Sequence, residues 1–199
     1  MDKAFFVKAF LSFFQGLSRC VFSNTFLVKL YKSQVLSYVE YATPALYHAP
    51  RFFLQRLDNI QDDFLSSLGL TATTALDLYH LCPLCTRRDI AMLGLIHRTV
   101  LGKGPPQFRR YFHPGSTAAF PRTVRSPDMR HNHQLRDRID GSESNALRRS
   151  ALSLVYPYNL LPAEVVAKGK VNMFQRALQV AVKQCETGLQ AGIAIGSSY

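Results

Sequence analysis

Two small groups of side chains have the types and spacing that chemistry could use. Cys82 and Cys85 form a C-x-x-C pair, and His97 follows after eleven intervening residues. Thiolate and imidazole groups are zinc ligands, but a structural zinc site takes four, and His80 lies too close to Cys82 for ordinary geometry. We therefore expect free thiols first, with a zinc site at Cys82, Cys85 and His97, or a redox pair, as the alternatives.

The second group is Asp62-Asp63, which is the only pair of adjacent carboxylates in the chain. Paired aspartates can hold two Mg²⁺ ions where both point at one place. The apolar spacing around them predicts a helix, in which neighbouring side chains point about 100° apart. We expect a solvated helix face, so no catalytic residue, metal or cofactor is predicted. His97, between Ile96 and Arg98, is expected to be a packed, hydrogen-bonded histidine.

Positive charge is the most abundant chemical feature of the chain. There are 24 Lys and Arg residues against 13 Asp and Glu residues, for a net charge of +11. Such a surplus favours a polyanionic partner, most often nucleic acid and sometimes an anionic membrane surface. The charge is densest over residues 103–146, where His113, His131 and His133 could line a phosphate track or belong to a solvated loop. Tyr111 and Phe112 could stack on bases or be buried.

The elements that must position these residues are helices. Apolar residues recur at three- and four-residue steps from Leu27 to Val39, and Pro44 is expected to close that run. Further helices are predicted at 52–68 with Gly69 as terminator, near 74–81, at 86–101 with Thr86 as N-cap, and at about 170–185.

The predicted fold class is therefore mainly α. We expect a helical bundle over residues 1–102, a basic, flexible Pro/Gly-rich segment over 103–146, a C-terminal segment with an amphipathic helix over 147–187, and a disordered tail over 188–199.

The N-terminal run Ala4–Phe14 is rich in phenylalanine but is interrupted by Lys8. It is shorter than the roughly 20 apolar residues of a membrane span, so we expect a buried helix, with a targeting or interfacial segment as the alternative.

Four irregularly spaced cysteines favour a reducing compartment. The expected location is intracellular, in the nucleus or cytoplasm, with no membrane partner.

Several blocks resemble one family, in the same order. Residues 30–44 resemble the L-Y-K-S-x-V-x-S-x-x-E-Y-A-x-P segment that follows the polymerase core in reverse transcriptases of non-LTR (LINE-like) retrotransposons. The other blocks are L-x-x-L-x-x-I-Q at 54–61, R-R followed by H and G at 87–102, Y-N-x-L-P at 158–162, and V-x-x-F-Q-x-x-L at 171–178. Leu152 replaces the usual phenylalanine of the S-x-F motif. Together the blocks cover roughly residues 25 to 180.

The resemblance implies the thumb and downstream region of such a polymerase, without the palm domain that holds the catalytic aspartates and Mg²⁺. It implies binding to RNA or an RNA–DNA hybrid through backbone phosphates, without base readout. The candidate contacts are Lys32, Arg87, Arg88, Arg109, Arg110, Arg130, Arg136, Arg148 and Arg149. The alternatives are a decayed retrotransposon product and a helical protein-interaction module with an exposed phenylalanine face.

Overall fold

The computed structural model describes residues 22–112, 131–139 and 144–186, with side chains up to residue 183. These ranges are mainly helical and contain no strand, which confirms the predicted fold class. The predicted helix over 4–14, the tail after 188, His113 and Arg130 lie outside the described residues. None of the described helices is both long enough and apolar enough to cross a membrane.

The chain forms two compact units, Met1–Arg88 and Asp89–Tyr199. The first unit contains α1 (Asn24–Tyr31), a π-helical turn (Lys32–Leu36), α2 (Ser37–Tyr41), α3 (Thr43–Leu46), α4 (Arg51–Ser67) and α5 (Ala72–Tyr79). Helix α6 (Leu84–Val100) begins in this unit and continues into the second. The second unit also contains α7 (Pro106–Arg109), α8 (Asn145–Arg148), a 3₁₀ turn (Ala151–Leu154), α9 (Val155–Asn159), α10 (Ala163–Val166) and α11 (Val171–Glu186).

The π-helical turn between α1 and α2 has a cause in the sequence. Leu27, Tyr31, Val35 and Val39 are all buried, and they recur every four residues. In a straight α-helix a four-residue repeat advances by about 40° per step, so three steps would rotate the apolar face by about 120°. The π-helical turn accommodates one extra residue and so cancels most of that rotation. The four side chains therefore share one buried face.

Two glycines terminate long helices, as the sequence predicts. Gly69 after α4 has φ of 67°, its N–H donates to Ser66 O at 3.1 Å, and the Leu70 N–H donates to Leu65 O at 3.0 Å. Gly102 after α6 has φ of 74° and the equivalent pair of bonds. This arrangement is the Schellman motif, which favours glycine because the residue just after the helix adopts a left-handed conformation.

Two predicted helix boundaries are wrong. Helix α6 begins at Leu84, so Thr86 lies in its first turn and is not its N-cap. The run from Leu27 ends at Tyr41, and Pro44 lies in the first turn of the short helix α3. Proline suits that position because the first N–H groups of a helix have no partner within the helix.

Part of the basic segment is fixed to α9. Leu135 is fully buried, and its backbone N–H and C=O both bond the side-chain amide of Asn159, each at 2.8 Å. Gln134 adds a bond from its side-chain nitrogen to Asn159 O at 3.0 Å. His131 is buried and its Nε2 donates to Tyr158 O at 3.0 Å. The expectation that His131 lines a phosphate track is therefore wrong, because its ring belongs to the interior of the second unit.

Candidate nucleic-acid interface

In the first unit, the adjacent arginines of α6 form ion pairs with carboxylates far away in the sequence. Arg87 pairs with Glu40 of α2. Arg88 donates two hydrogen bonds to Asp58 of α4, with nitrogen–oxygen distances of 2.6 and 2.9 Å. Bidentate pairs of this kind are among the stronger side-chain interactions in proteins. Only 7% of the Arg88 surface is exposed, so this guanidinium has no surface from which to contact a phosphate.

Lys32, in the π-helical turn, also has a partner inside the first unit. Its Nζ donates to the backbone carbonyl of Tyr79 at the end of α5. Burial, followed by the nearby positive charge of Arg87, lowers the pKa of this lysine. Lys32, Arg87 and Arg88 are thus three of the predicted phosphate contacts whose observed partners hold α1, α2, α4, α5 and α6 together.

The C-x-x-C pair is split between the interior and the surface. Cys82 is buried and Cys85 is exposed, and neither forms a disulfide. The Cys82 backbone carbonyl accepts a bond from the side-chain nitrogen of Gln61 at 3.1 Å. Among the described residues, no three His, Cys, Asp or Glu side chains come together so that they could hold a metal ion.

His97 is completely buried and hydrogen-bonded at both ring nitrogens. Nε2 lies 2.8 Å from Lys168 O, so it carries the proton, and Nδ1 accepts the Tyr158 hydroxyl at 3.0 Å. Phe174 stacks on the ring with 4.1 Å between centroids. The expectation of a packed, hydrogen-bonded histidine is confirmed, and neither nitrogen is left for a metal. Burial is the main cause that lowers the pKa of His97.

The remaining described candidates are exposed and lie in the second unit: Arg109, Arg110, Arg136, Arg148 and Arg149. Arg110 lies over the Tyr111 ring, with its central carbon 4.7 Å from the ring centroid. Tyr111 is 38% exposed whereas Phe112 is buried, so only Tyr111 has a ring face available for stacking.

Sequence reasoning did not name Arg98, Lys168, Lys170 or Arg176 as phosphate contacts, and it counted Lys103 only within the basic segment 103–146; all five are exposed in the second unit. Arg98 Nε donates to Lys103 O at 2.9 Å, and Lys103 Nζ donates to Gly169 O at 3.3 Å. The available signal for the three lysines was a neighbouring glycine, Gly102 or Gly169, whereas Arg98 lies in the last turn of α6. Such positions place side chains at helix ends, but their proximity across 66 residues has no local signature.

Charge is distributed unequally between the described parts of the two units. Residues 22–88 carry six Lys and Arg against five Asp and Glu, a net charge of +1. The described residues from 89 onward carry twelve against four, a net charge of +8. Asp62 and Asp63 are exposed on α4 of the less charged unit. The surface suited to a polyanion is therefore the exposed surface of the second unit.

Comparison with protein-family models, with curated proteins and with solved structures gives no match for this chain in any of the three. The function is therefore argued from residues, geometry and charge. The observations that bear on it are the exposed cations of the second unit and the internal ion pairs of the first.

Proposed function

We propose that this chain is a non-catalytic helical fragment that resembles the thumb and downstream region of a non-LTR reverse transcriptase, and that it binds the backbone of RNA or an RNA–DNA hybrid. The observation that carries the proposal is the net charge of +8 on the described residues of the second unit. Its arginines project from helix ends and turns, where their guanidinium groups can meet successive phosphates. The resemblance in sequence supplies the choice of RNA over other polyanions.

Binding of this type is electrostatic and independent of base sequence. Each arginine or lysine that neutralises a phosphate releases a condensed counterion, so affinity falls as salt rises. Arg110 and Tyr111 could add a contact that is not purely electrostatic, since they present a cation and a partly exposed ring side by side. An unpaired base could stack there without being read by hydrogen bonds.

The test is the affinity of the purified chain for an RNA–DNA hybrid at about 50 and 200 mM salt, by fluorescence anisotropy. We expect a loss of tenfold or more across that range, as for ligands that contact several phosphates. The variant Arg136→Gln/Arg149→Gln should weaken binding and reduce the salt slope by about 1 to 2, since each phosphate contact contributes about 0.9.

A matched control is Lys29→Gln/Arg56→Gln, which removes the same two charges from exposed positions in the first unit. It should bind more tightly than the second-unit variant at equal salt. Equal losses in the two variants would mean that only net charge matters, and absence of binding at the lower salt would overturn the proposal.

A second candidate is protein interaction, which the exposed aromatic rings of the first unit favour. Phe22 and Phe26 stack with 4.9 Å between centroids, and Phe52 and Phe53 lie 4.3 Å apart. All four are at least 40% exposed, and Tyr41 is 90% exposed. The partner would be an apolar protein surface, such as a polymerase palm domain in a full-length relative. Docking of that kind should barely respond to salt over the same range.

A further inference from the structure

Three exposed cations of the second unit are held around one turn. Arg98, near the end of α6, donates its Nε–H to the carbonyl of Lys103 at 2.9 Å. Arg109, at the end of α7, donates from Nη2 to the carbonyl of Gly102 at 2.7 Å. Lys103 itself reaches the carbonyl of Gly169 in the loop before α11, at 3.3 Å. Two of these bonds are local to residues 98–109, and the third attaches the same stretch to the loop before α11.

The backbone beneath these cations has little freedom to move. Lys103 N–H donates to Arg98 O at 2.9 Å as part of the Schellman motif at Gly102. Gly104 packs so closely on α6 that an added Cβ would lie 2.6 Å from Thr99 Cα. Pro105 and Pro106 follow directly and fix two further φ angles. The turn is therefore a rigid support for its side chains.

The loop before α11 is attached to the same place by two consecutive carbonyls. Lys168 O accepts the Nε2–H of His97 at 2.8 Å, and Gly169 O accepts from Lys103. Lys168 and Lys170 are exposed on either side of Gly169. Buried His97 is thus a positioning residue, which fixes the main chain of a lysine pair beside Arg98 and Lys103.

The observed bonds leave most donors of these cations unused. A guanidinium group has five N–H donors and an ammonium group has three, and the bonds above use one from each of Arg98, Lys103 and Arg109. The carbonyls that follow α6 account for the bonds of Arg98 and Arg109. They do not account for the two exposed lysines, Lys168 and Lys170, on either side of the glycine whose carbonyl accepts from Lys103.

We propose that Arg98, Lys103, Arg109, Lys168 and Lys170 form a phosphate-binding site that holds a phosphodiester of a nucleic-acid strand. The inference rests on the proposed function and deepens it, since it names the place where the backbone is held. A phosphate offers several acceptor oxygens and a full negative charge, which match the unused donors of the arginine forks and of the lysine ammonium groups.

The first experiment is a titration of the full chain with inorganic phosphate, followed by amide NMR shifts and compared with chloride at equal ionic strength. We expect saturable shifts in the millimolar range at residues 98–104 and 168–170, and smaller ones at 145–149. Shifts that are no larger with phosphate than with chloride would overturn the site. This measurement uses no variant, so it does not depend on the folding of one.

The second experiment compares hybrid binding by Arg98→Gln/Lys103→Gln with that by Arg136→Gln/Arg149→Gln, which removes the same charge. We expect at least a tenfold loss for the first variant at about 100 mM salt, and a smaller loss for the second. The swap Arg98→Lys/Lys103→Arg keeps the charge and should keep most of the affinity. Hybrid binding that is unaffected in the first variant overturns the site and leaves the proposed function standing.

The phosphate could also be a terminal monoester rather than part of the backbone. Short oligoribonucleotides with a 5′-hydroxyl and with a 5′-phosphate separate the two sources. Affinities within about twofold of each other support a phosphodiester, and a strong preference for the 5′-phosphate contradicts it. If no oligonucleotide or hybrid binds, the proposed function fails, while the phosphate titration still decides whether the site binds the anion.

Discussion

At the scale of single residues, arginines that look like phosphate ligands in the sequence bind carboxylates in the folded chain. Arg87 and Arg88 find their partners 47 and 30 residues away. No local sequence pattern predicts ion pairs at that separation. The sequence therefore identifies these residues as cations but does not predict that they pair with carboxylates inside the first unit. His97 is the opposite case, since its apolar neighbours do predict a packed ring. Its partners, Tyr158 and Lys168, again come from distant segments.

The Arg88–Asp58 pair gives a prediction about stability. Asp58→Ala leaves a buried guanidinium without its partner. We expect a loss of about 2 to 3 kcal/mol, less than the roughly 3–5 kcal/mol of a fully buried pair, because the Asp58 side chain is 22% exposed. Urea unfolding measures the loss. Asp63→Ala, at an exposed position of the same helix, should change stability by no more than about 0.5 kcal/mol. Equal losses in the two variants would show that the Arg88–Asp58 ion pair adds nothing to the free energy of unfolding.

Two buried histidines predict how stability depends on pH. Burial lowers the pKa of His97 and of His131, and each ring is repelled by positive charge on the neighbouring histidines, including His133. The unfolded chain therefore binds more protons than the folded chain between the lowered values and the ordinary value of about 6.5. The free energy of unfolding is then highest above about pH 7 and falls as pH drops below 6.5.

Thermal unfolding at about pH 7.5, 6.5 and 5.5 checks this dependence. His97→Gln/His131→Gln should be less stable at pH 7.5 but should lose less on acidification than the unchanged chain. His48→Gln, at an exposed position, should keep the full dependence. If acidification lowered the unfolding temperature equally in all three proteins, the acid sensitivity would belong to groups other than His97 and His131.

At the scale of elements, the sequence predicts the longer helices α4, α5, α6 and α11 to within about two residues, because apolar spacing and terminating glycines are local signals. Helix α4 ends at Ser67 before Gly69, and α11 spans Val171–Glu186 against a prediction of about 170–185. The π-helical turn was missed although its signal is present in the sequence, namely an apolar residue at every fourth position over 27–39. The attachment of Leu135 to Asn159 was missed because a side-chain amide that bonds a distant backbone leaves no periodicity.

Deletion of Ser33 tests the extra residue of the π-helical turn. The shortened segment can form a regular α-helix that keeps the buried side chains on one face, because their spacing becomes four, three and four residues. We expect a loss of less than about 1 kcal/mol in the free energy of unfolding, since Val39 and Glu40 keep their places. Deletion of the exposed Asn59 from the regular helix α4 removes no extra residue and rotates buried Phe64 by about 100° away from the core. That deletion should cost more than about 3 kcal/mol by the same urea measurement, and equal losses in the two deletions would contradict the account of the π-helical turn.

At the scale of the whole molecule, composition predicts the class of partner but does not predict which surface of the protein would bind it. The net charge of +11 is visible in the sequence, and so is the density of basic residues after residue 102. The internal ion pairs of the first unit follow only from the fold, whereas the net charge of +1 on its described residues is a count that holds with or without those pairs. Variants that remove equal charge from each unit can therefore separate general attraction from a specific surface.

The two cysteines of the C-x-x-C pair can report local opening of the first unit, because one is exposed and the other is buried. A thiol-reactive reagent reaches the exposed Cys85 at once, whereas it reaches Cys82 only when the surrounding structure opens. Peptide mapping by tandem mass spectrometry follows both thiols in one sample, because fragment ions locate the adduct on Cys82 or on Cys85. The slower rate at Cys82 then reports opening of the surrounding structure in protein already labelled at Cys85, with no engineered probe.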